Sequence, residues 1–480
     1  MTETQSPKMV PMADDDPWEI VKEANGPTIV RVLVKNLFGR YSYDIRPRMP
    51  LFSGDGTERL VILYGENGSG KTTILSLVFD LLSPAHDKAH RSHIGSTMFT
   101  EFSVELSNGV TVSAFREGYQ IDGDYYFTIY RNVEEPIVTL PMIIDREGKL
   151  DSKDEIHLQL ETELKKLDIS PFYLPDSRSL LSDTLSPEDH YLYLGSDGES
   201  KMMNDYLRRR SRRWRAPEDM YEDPPRQARQ GIETLLAIRR FDGWLSRQVI
   251  RGQRQGFASS NTVLISVLES LLRSEDPEYS GVDGQVGSIK EQIAELDHRI
   301  KEYERFGLVQ HFPARQFMAL LEQAQEEQVV RLERALAPHL KSSRAQLDKL
   351  ESLYNLLFTF TKSMNTYLRG KEVVIRPGRG GIDLITDEPE PRPLGALELS
   401  SGEQQLLLLL CNIIVARNRS KLFIIDEPEI SLNVTWQRKL LDTLLDLTAG
   451  TGMQFIVATH SIEMLTTHDD AVIKLDMLHA

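Results

Sequence analysis

The segment GENGSGKTT, residues 65–73, has the residue types and spacing of a loop that binds a polyphosphate. The apolar run RLVILYG precedes it and the helical pattern TILSLVFDLL follows it, so the setting is strand, loop and helix. Lys71 is predicted to reach the β- and γ-phosphates, and the Thr72 hydroxyl to bind Mg²⁺. A chance glycine-rich turn is the alternative. The predicted phosphate-binding residues are Gly65, Glu66, Asn67, Gly68, Ser69, Gly70, Lys71, Thr72 and Thr73.

Two further apolar runs end in polar residues that could act on a phosphate. LFIIDEPE, residues 422–429, presents Asp426 and Glu427 at a strand end, where open α/β sheets bind ligands. Asp426 is predicted to hold Mg²⁺, and Glu427 to act as general base on the attacking water. FIVATHS, residues 455–461, ends in the same way at His460, which we interpret as a sensor of the γ-phosphate. An ordinary strand end or a structural histidine is the alternative for each run.

A polar turn stands directly before a leucine run in LSSGEQQLLLLL, residues 399–410. Ser400 or Ser401 is a suitable N-cap, and Glu403 lies where the helix dipole favours a negative charge. The apolar run that follows, residues 406–416, is shorter than the ~18 residues of a membrane span. We therefore expect a buried helix with a polar tip.

The patterns around these motifs predict an α/β fold. Residues 28–45 and 100–131 are rich in β-branched and aromatic residues, and Asn108-Gly109 marks a hairpin. Strand and helix patterns alternate from residue 370 onward, which favours a parallel sheet.

Helical periodicity dominates the middle of the chain. Apolar residues recur at alternating spacings of three and four from Ile289 to Tyr303, and again from Leu340 to Leu368. This is the pattern of a heptad seam, so we predict a short antiparallel helical hairpin. Amphipathic helices packed on a globular core are the alternative.

Composition excludes several classes of protein. A formal charge of −16 argues against a protein that coats nucleic acid over its whole surface. The single cysteine, Cys411, excludes a disulfide framework and a cysteine-based zinc site, and indicates a reducing compartment. The acidic N-terminus lacks a secretory pattern, so we expect a cytoplasmic protein.

Residues 208–254 reverse the overall charge. They contain 13 arginines, no lysine and six acidic residues, a local charge of +7 against −23 for the remainder. Guanidinium groups bind phosphate and carboxylate bidentately and stack on aromatic rings such as Trp214 and Trp244. We predict a docking site for DNA, RNA or an acidic protein; a solvated charged face is the alternative. The predicted contacts are Arg208, Arg209, Arg210, Arg212, Arg213 and Arg215.

In this order the motifs resemble those of ABC-type ATPases of the SMC/RecF/OLD-like class, of the AAA_15 or AAA_21 kind. The resemblance implies an ABC-type P-loop head with a helical, short coiled-coil insertion, and it implies ATP and Mg²⁺ as ligands. The expected parts are a disordered lead-in (1–27), an N-terminal lobe (28–176), the helical insertion (177–369) and a C-terminal lobe (370–480).

The same resemblance assigns roles to residues. It implies catalysis by Lys71, Glu427 and His460. LSSGEQQ is similar to the family's signature motif, although it departs from the commoner L-S-G-G-Q form. In that family the motif contacts the γ-phosphate of ATP bound to another copy, which implies a homo-oligomer built from ATP-sandwich dimers. The residues expected to make this contact are Ser400, Ser401 and Gly402, and the base of ATP is expected to stack on Phe38, Tyr41 or Tyr43.

Twenty residues follow His460, fewer than the Toprim nuclease domain that OLD nucleases carry there. The chain therefore resembles stand-alone ATPase subunits of two-gene anti-phage systems, first PARIS and second Septu. In PARIS, a homohexamer holds a separate Toprim nuclease until an acidic phage protein is sensed. A RecF/SMC-like, ATP-gated DNA clamp and an autonomous nuclease are the alternatives.

Overall fold

The computed structural model describes residues 26–47, 59–84, 89–118, 120–131, 135–151, 154–176, 181–182, 230–250, 286–323, 326–376, 381–417 and 420–475. Most of the predicted N-terminal lead-in and the six arginines from Arg208 to Arg215 lie outside these residues. Within them, no helix is both long and apolar enough to cross a membrane.

The described part of the chain contains the following strands and helices. The strands are β1 (Ile29–Leu37), β2 (Tyr41–Ile45), β3 (Leu60–Tyr64), β4 (Glu101–Leu106), β5 (Val110–Phe115), β6 (Tyr125–Arg131), β7 (Glu135–Met142), β8 (Pro171–Leu174), β9 (Leu181–Ser182), β10 (Lys371–Arg376), β11 (Gly381–Thr386), β12 (Pro393–Leu394), β13 (Leu422–Asp426), β14 (Gln454–Thr459) and β15 (Val472–Lys474). The helices are α1 (Lys71–Leu82), α2 (Ala89–Ser96), α3 (Asp154–Lys165), α4 (230–250), α5 (Val286–Arg305), α6 (Ala314–Gln323), α7 (Glu326–Tyr367), α8 (Ser401–Ala416), α9 (Val434–Leu447) and α10 (Ile462–Leu465).

A parallel sheet brings the chemistry-bearing motifs to one edge. Its strand order is β15-β3-β14-β13-β8-β9, in which only β9 runs antiparallel to its neighbour. The central strands are apolar on both faces because helices and a second sheet cover them. Parallel strands end at the same edge, so the residues that follow β3, β13, β14 and β8 are neighbours although they are far apart in sequence.

A second, antiparallel sheet of order β2-β1-β4-β5-β6-β7 covers α1 on the other side. The predicted hairpin forms between β4 and β5, with Gly109 at a positive φ of 78°. Gln454 joins the two sheets: its amide accepts from Ile29 N at 2.7 Å and donates to Ile29 O at 3.0 Å. The strand-rich N-terminal lobe and the α/β fold class are therefore as predicted.

The helical insertion corrects one expectation. Both predicted heptad seams are buried, but the helices that carry them, α5 and α7, run parallel. Ion pairs join Glu295 to Arg344 and Arg299 to Asp348, so residue numbers rise together on the two helices. The predicted antiparallel hairpin is wrong because the chain returns between the two helices, ahead of α6: Phe306 packs on Tyr354, whereas Phe312 packs on His339, about four turns nearer the start of α7. A seam determines which face is buried, and it carries no information about direction.

Helix α4 lies within the arginine-rich region and was not expected. Phe241 and Trp244 on this helix are buried in the main core, with their ring centroids 5.9 Å apart. Trp244, which was expected to stack with guanidinium groups, is 5% exposed and lies in this core beside Phe241. The corresponding role of Trp214 lies outside the described residues.

Candidate functional site

The loop between β3 and α1 has the backbone that a phosphate cradle requires. Gly68 and Gly70 adopt positive φ angles of 81° and 89°. A Cβ atom on Gly70 would also lie 2.7 Å from Leu37 Cδ2, so this position needs glycine for space as well as for conformation. The loop leads directly into α1, whose first N–H groups lack intrahelical acceptors. Such a turn binds anions.

Lys71 points back into this loop. Its Nζ donates to the carbonyl oxygens of Gly65 and Glu66 at 2.8 and 3.0 Å. Burial lowers the pKa of Lys71, and the nearby carboxylates of Glu427, Asp426 and Glu429 oppose that effect. The ammonium group is thus surrounded by acceptors that phosphate oxygens can replace.

Asp426 has the character of a metal ligand. Its side chain is buried at the end of β13, and neither carboxylate oxygen has a partner at hydrogen-bond geometry. Burial raises the pKa of Asp426 to about 6; the facing Thr72 hydroxyl lowers it, whereas Glu427 and Asp176 raise it. Buried oxygens without partners are costly unless a cation or water satisfies them. Together with the exposed Thr72 hydroxyl, these oxygens fit Mg²⁺, which prefers oxygen ligands.

Glu427 and His460 meet beside Lys71. The backbone of Glu427 has a left-handed φ of 46°, held by its N–H bond to Ala458 O at 2.9 Å. His460 Nε2 lies 3.4 Å from Glu427 Oε1, and His460 Nδ1 lies 3.5 Å from Lys71 Nζ. The fold thus brings the three predicted catalytic side chains together.

Glu429 is a site residue that the sequence analysis did not assign. Its Oε1 accepts from Thr459 Oγ1 at 2.6 Å, from His460 N at 2.7 Å and from Ser461 N at 3.2 Å. These bonds fix the backbone that carries the His460 ring. The acidic residue two positions after Glu427 was the available signal, but its partners lie 30 residues further on.

The signature-like turn is built as a capping box. Ser400 Oγ accepts from Glu403 N at 3.4 Å, and the Glu403 carboxylate accepts from Ser400 N at 2.7 Å. Lys371 Nζ donates to the same Glu403 oxygen at 2.7 Å. Burial alone would raise the pKa of Glu403, but the bonds from Lys371 and Ser400 outweigh it and lower that pKa. Ser400 is therefore the N-cap, one of the two predicted choices.

The tip of this turn faces outward. Ser400 and Ser401 are exposed, whereas Gly402 is buried against the loop after β13. A Cβ on Gly402 would lie 2.5 Å from Ser431 O, so this approach requires glycine. Among the described residues, no hydrogen bond joins the turn of residues 400–402 to the Lys71 loop.

The three aromatic candidates for the base of a nucleotide are not equivalent. Tyr43 is 3% exposed and its hydroxyl donates to Ser69 O at 2.9 Å, so it supports the loop and is not available for stacking. Phe38 is 38% exposed at a positive φ of 56°, and its Cε2 lies 3.5 Å from the Cβ position of Gly70. Tyr41 lies under the Arg40 guanidinium at 5.7 Å. Phe38 and Tyr41 remain as candidates.

Comparison with known proteins agrees with this geometry. Residues 314–466 match the AAA_21 family, described as "AAA domain, putative AbiEii toxin, Type IV TA system". The lipoprotein-releasing system ATP-binding protein LolD of Cereibacter sphaeroides is 30% identical over 142 residues, 28% of this chain and 60% of that protein. Over part of its length the chain is thus similar to ATP-binding proteins of the ABC class.

Two other curated proteins match shorter stretches of this chain. The peptidoglycan transport ATP-binding protein YejF of Agrobacterium fabrum is 38% identical over 87 residues, 18% of this chain and 15% of that protein. The dipeptide transport ATP-binding protein DppD of Escherichia coli is 26% identical over 139 residues, 28% of this chain and 40% of that protein. The chain thus spans between 15% and 60% of the length of these three relatives.

Among solved structures, the chain resembles the Smc head domain of Pyrococcus furiosus bound to the C-terminal domain of ScpA. The TM-score is 0.37 at 12% identity, with 93% of each chain covered. A Pyrococcus yayanosii Smc head with a coiled coil and joint gives a TM-score of 0.36 at 14% identity, covering 93% of this chain and 95% of that chain.

Proposed function

We propose that this chain binds ATP and hydrolyses it at a site completed by a second copy of the chain. One observation carries the proposal. Lys71, Glu427 and His460 converge at one edge of the parallel sheet, while the exposed Ser400–Ser401 turn is hydrogen-bonded to other parts of the fold. A polar helix tip exposed in this way can contact the phosphate of a nucleotide held by another copy.

In this mechanism each residue has a defined task. The Lys71 ammonium exchanges the carbonyls of Gly65 and Glu66 for β- and γ-phosphate oxygens. Glu427 accepts the proton of the attacking water, and His460, held between Glu427 and Lys71, orients that carboxylate toward the γ-phosphate. Thr72 and Asp426 would hold Mg²⁺, which would supply positive charge near the phosphate oxygens.

Mixed variants test the shared site. Lys71→Ala disables the loop, and Ser401→Glu places a negative charge at the exposed turn, so each variant alone should be inactive. A 1:1 mixture should regain about one quarter of wild-type turnover, because half of the dimers are mixed and each has one intact site. If each site were complete within one chain, the mixture would remain as inactive as its components.

We further propose that this ATPase regulates a separate nuclease in a two-component anti-phage system. It would hold the effector, a Toprim-type nuclease, and release or activate it when an acidic trigger protein binds the arginine-rich segment. The net charge of +7 over residues 208–254 supports binding of a polyanion. The description of the AAA_21 family, which names a type IV toxin–antitoxin system, agrees with a two-gene arrangement.

Charge reversal tests this regulatory role. Replacing the arginines among residues 208–213 by glutamate should abolish triggering in cells that carry the neighbouring gene, while ATP binding is retained. Glutamate at Arg146 and Arg369, both exposed and outside the segment, is the control and should leave triggering unchanged. Unaltered triggering in the first variant would remove the trigger-binding role. DNA binding by the purified protein alone, dependent on ATP and falling steeply with salt, would favour a RecF/SMC-like clamp instead.

A further inference from the structure

Helix α4 is tied directly to the signature-like turn. Gln230, at the start of the described helix, is 6% exposed and its Nε2 donates to Ser401 O at 2.6 Å. One turn further along, the buried Thr234 hydroxyl donates to Gln230 O of its own helix at 2.9 Å and lies 3.4 Å from Gln404 O. The helix is therefore hydrogen-bonded to the first turn of α8 through Gln230, and Thr234 packs against the same turn one level further along.

Gly231 of α4 lies against the segment leading into α8. A Cβ atom there would meet the end of the Leu397 side chain, which is 48% exposed. The Gln404 amide completes the contact from the other side, donating to Ala396 O and Leu399 O at 3.1 and 3.2 Å. The start of α4 and residues 396–404 thus form one packed and hydrogen-bonded unit.

The other end of the insertion reaches the same turn. Lys371 begins β10 four residues after α7 ends at Tyr367, and it bonds to Glu403 within the capping box. Gln230 therefore links the helical insertion to the turn, and Lys371 links the strand that follows the insertion to the same turn. A displacement of α4 relative to the sheet would move Ser401 with it.

We propose that Gln230 is a positioning residue: through its bond to the Ser401 carbonyl it sets where the exposed serine turn lies, and it transmits changes in the insertion to the ATP site. The inference rests on the proposed function only in taking Ser401 as a phosphate contact. Gln230 itself lies within the arginine-rich segment, directly after Arg229 in the sequence.

An isosteric substitution tests this role. Gln230→Glu keeps the volume of the side chain but removes the donor and places a carboxylate against the Ser401 carbonyl. Amide hydrogen exchange of residues 399–404 in the nucleotide-free protein should accelerate about threefold to tenfold, as expected for the loss of one neutral hydrogen bond. The kcat for ATP should fall by a similar or larger factor, while the affinity of the Lys71 loop for ATP changes less than about twofold.

Two further variants control for folding. Ile250→Ala changes an exposed residue at the far end of the same helix and should leave both readouts unchanged. Thr234→Val keeps the side-chain volume but removes both the bond that supports Gln230 O and the weaker contact to Gln404 O, so it should shift exchange and kcat in the same direction as Gln230→Glu by a smaller factor. It keeps the inference testable if Gln230→Glu does not fold.

The outcomes separate this inference from the proposed function. If the wild-type protein does not hydrolyse ATP, the proposed function fails, and exchange at residues 399–404 still decides whether Gln230 holds the turn. If exchange there is unchanged in Gln230→Glu, the inference is overturned even when the wild type is an active ATPase. A reduced free energy of unfolding with unchanged kcat also overturns it, since that is the result of a purely structural contact.

Discussion

Glu429 offers the sharpest single test of how the site is held together. Glu429→Ala removes the carboxylate that fixes the loop after β14. His460 N then loses its acceptor at 2.7 Å. The Thr459 hydroxyl loses the carboxylate to which it donates, and the acceptor left to it is Met464 Sδ at 3.7 Å. Ser461 N retains its 3.0 Å bond to Thr459 Oγ1. Two charge-assisted bonds are therefore lost without replacement.

The expected loss in the free energy of unfolding follows from those two bonds. A hydrogen bond to a charged acceptor contributes about 1.5–3 kcal/mol, so the upper range is about 3–6 kcal/mol. The His460 side chain is 31% exposed, so water can enter and satisfy part of the loss. We expect Glu429→Ala to lower the free energy of unfolding by about 2–4 kcal/mol. Glu429→Gln keeps an acceptor oxygen in place and should cost about 1 kcal/mol.

Catalysis should respond more strongly than nucleotide binding. A His460 ring that is no longer fixed misorients Glu427, and misplacement of about 1 Å can cost up to ~10²-fold in rate. We expect kcat to fall at least about tenfold in Glu429→Ala while the affinity for ATP at the Lys71 loop is retained. Urea unfolding and steady-state ATP hydrolysis measure the two effects.

A nearby glutamate provides the matched control. Glu463 pairs with Arg438 at 2.6 Å on the surface, close to the same loop, but it does not bond to the loop backbone. Glu463→Ala should change the free energy of unfolding by less than about 1 kcal/mol and leave kcat unchanged. The reasoning is refuted if Glu429→Ala behaves like Glu463→Ala in both assays.

Three other substitutions follow from the site and the N-terminal lobe. Glu427→Gln should retain ATP and slow hydrolysis by ~10²-fold or more, the range for loss of a general base; near-normal turnover would show that the base is a different group. Lys71→Ala should lose affinity in a titration with a fluorescent ATP analogue; retained affinity would contradict the role of the loop. Asp80 bonds to His93 Nδ1 at 2.5 Å and raises the pKa of His93. This stabilisation is present below the ordinary histidine pKa of about 6.5 and is lost as the pH rises through the higher folded value. His93→Asn should therefore lower the urea midpoint more near pH 6 than near pH 9, and equal shifts would count against it.

Local signals account for most of what the sequence predicted correctly. The loop at residues 65–73 was recognisable because its glycines and its flanking strand and helix are contiguous. The cap at Ser400 was recognisable for the same reason, since its partner Glu403 lies three residues away. Apolar runs such as β13 and β14 are buried on both faces, so their composition alone identified them as central strands.

Contacts between segments that are far apart in the chain could not be predicted from the sequence. Lys71 and His460 are 389 residues apart, and only the order of strands in the parallel sheet brings them within 3.5 Å. The bond between Gln230 and Ser401 joins residues that are 171 positions apart. Gln230 also lies in a stretch whose arginine content predicted an exposed surface. The direction of α5 relative to α7 was predicted wrongly for a related reason. The chain returns through residues 306–312, and neither heptad seam carries a signal of that return.

The central claim is that one ATP molecule is enclosed by two copies of the chain. The most direct test is a structure of the Glu427→Gln protein loaded with ATP and Mg²⁺. The account predicts that each γ-phosphate contacts Lys71 of one copy and the Ser400–Gly402 turn of the other, within ordinary hydrogen-bond distance. A structure in which residues 400–402 lie far from every triphosphate would contradict it.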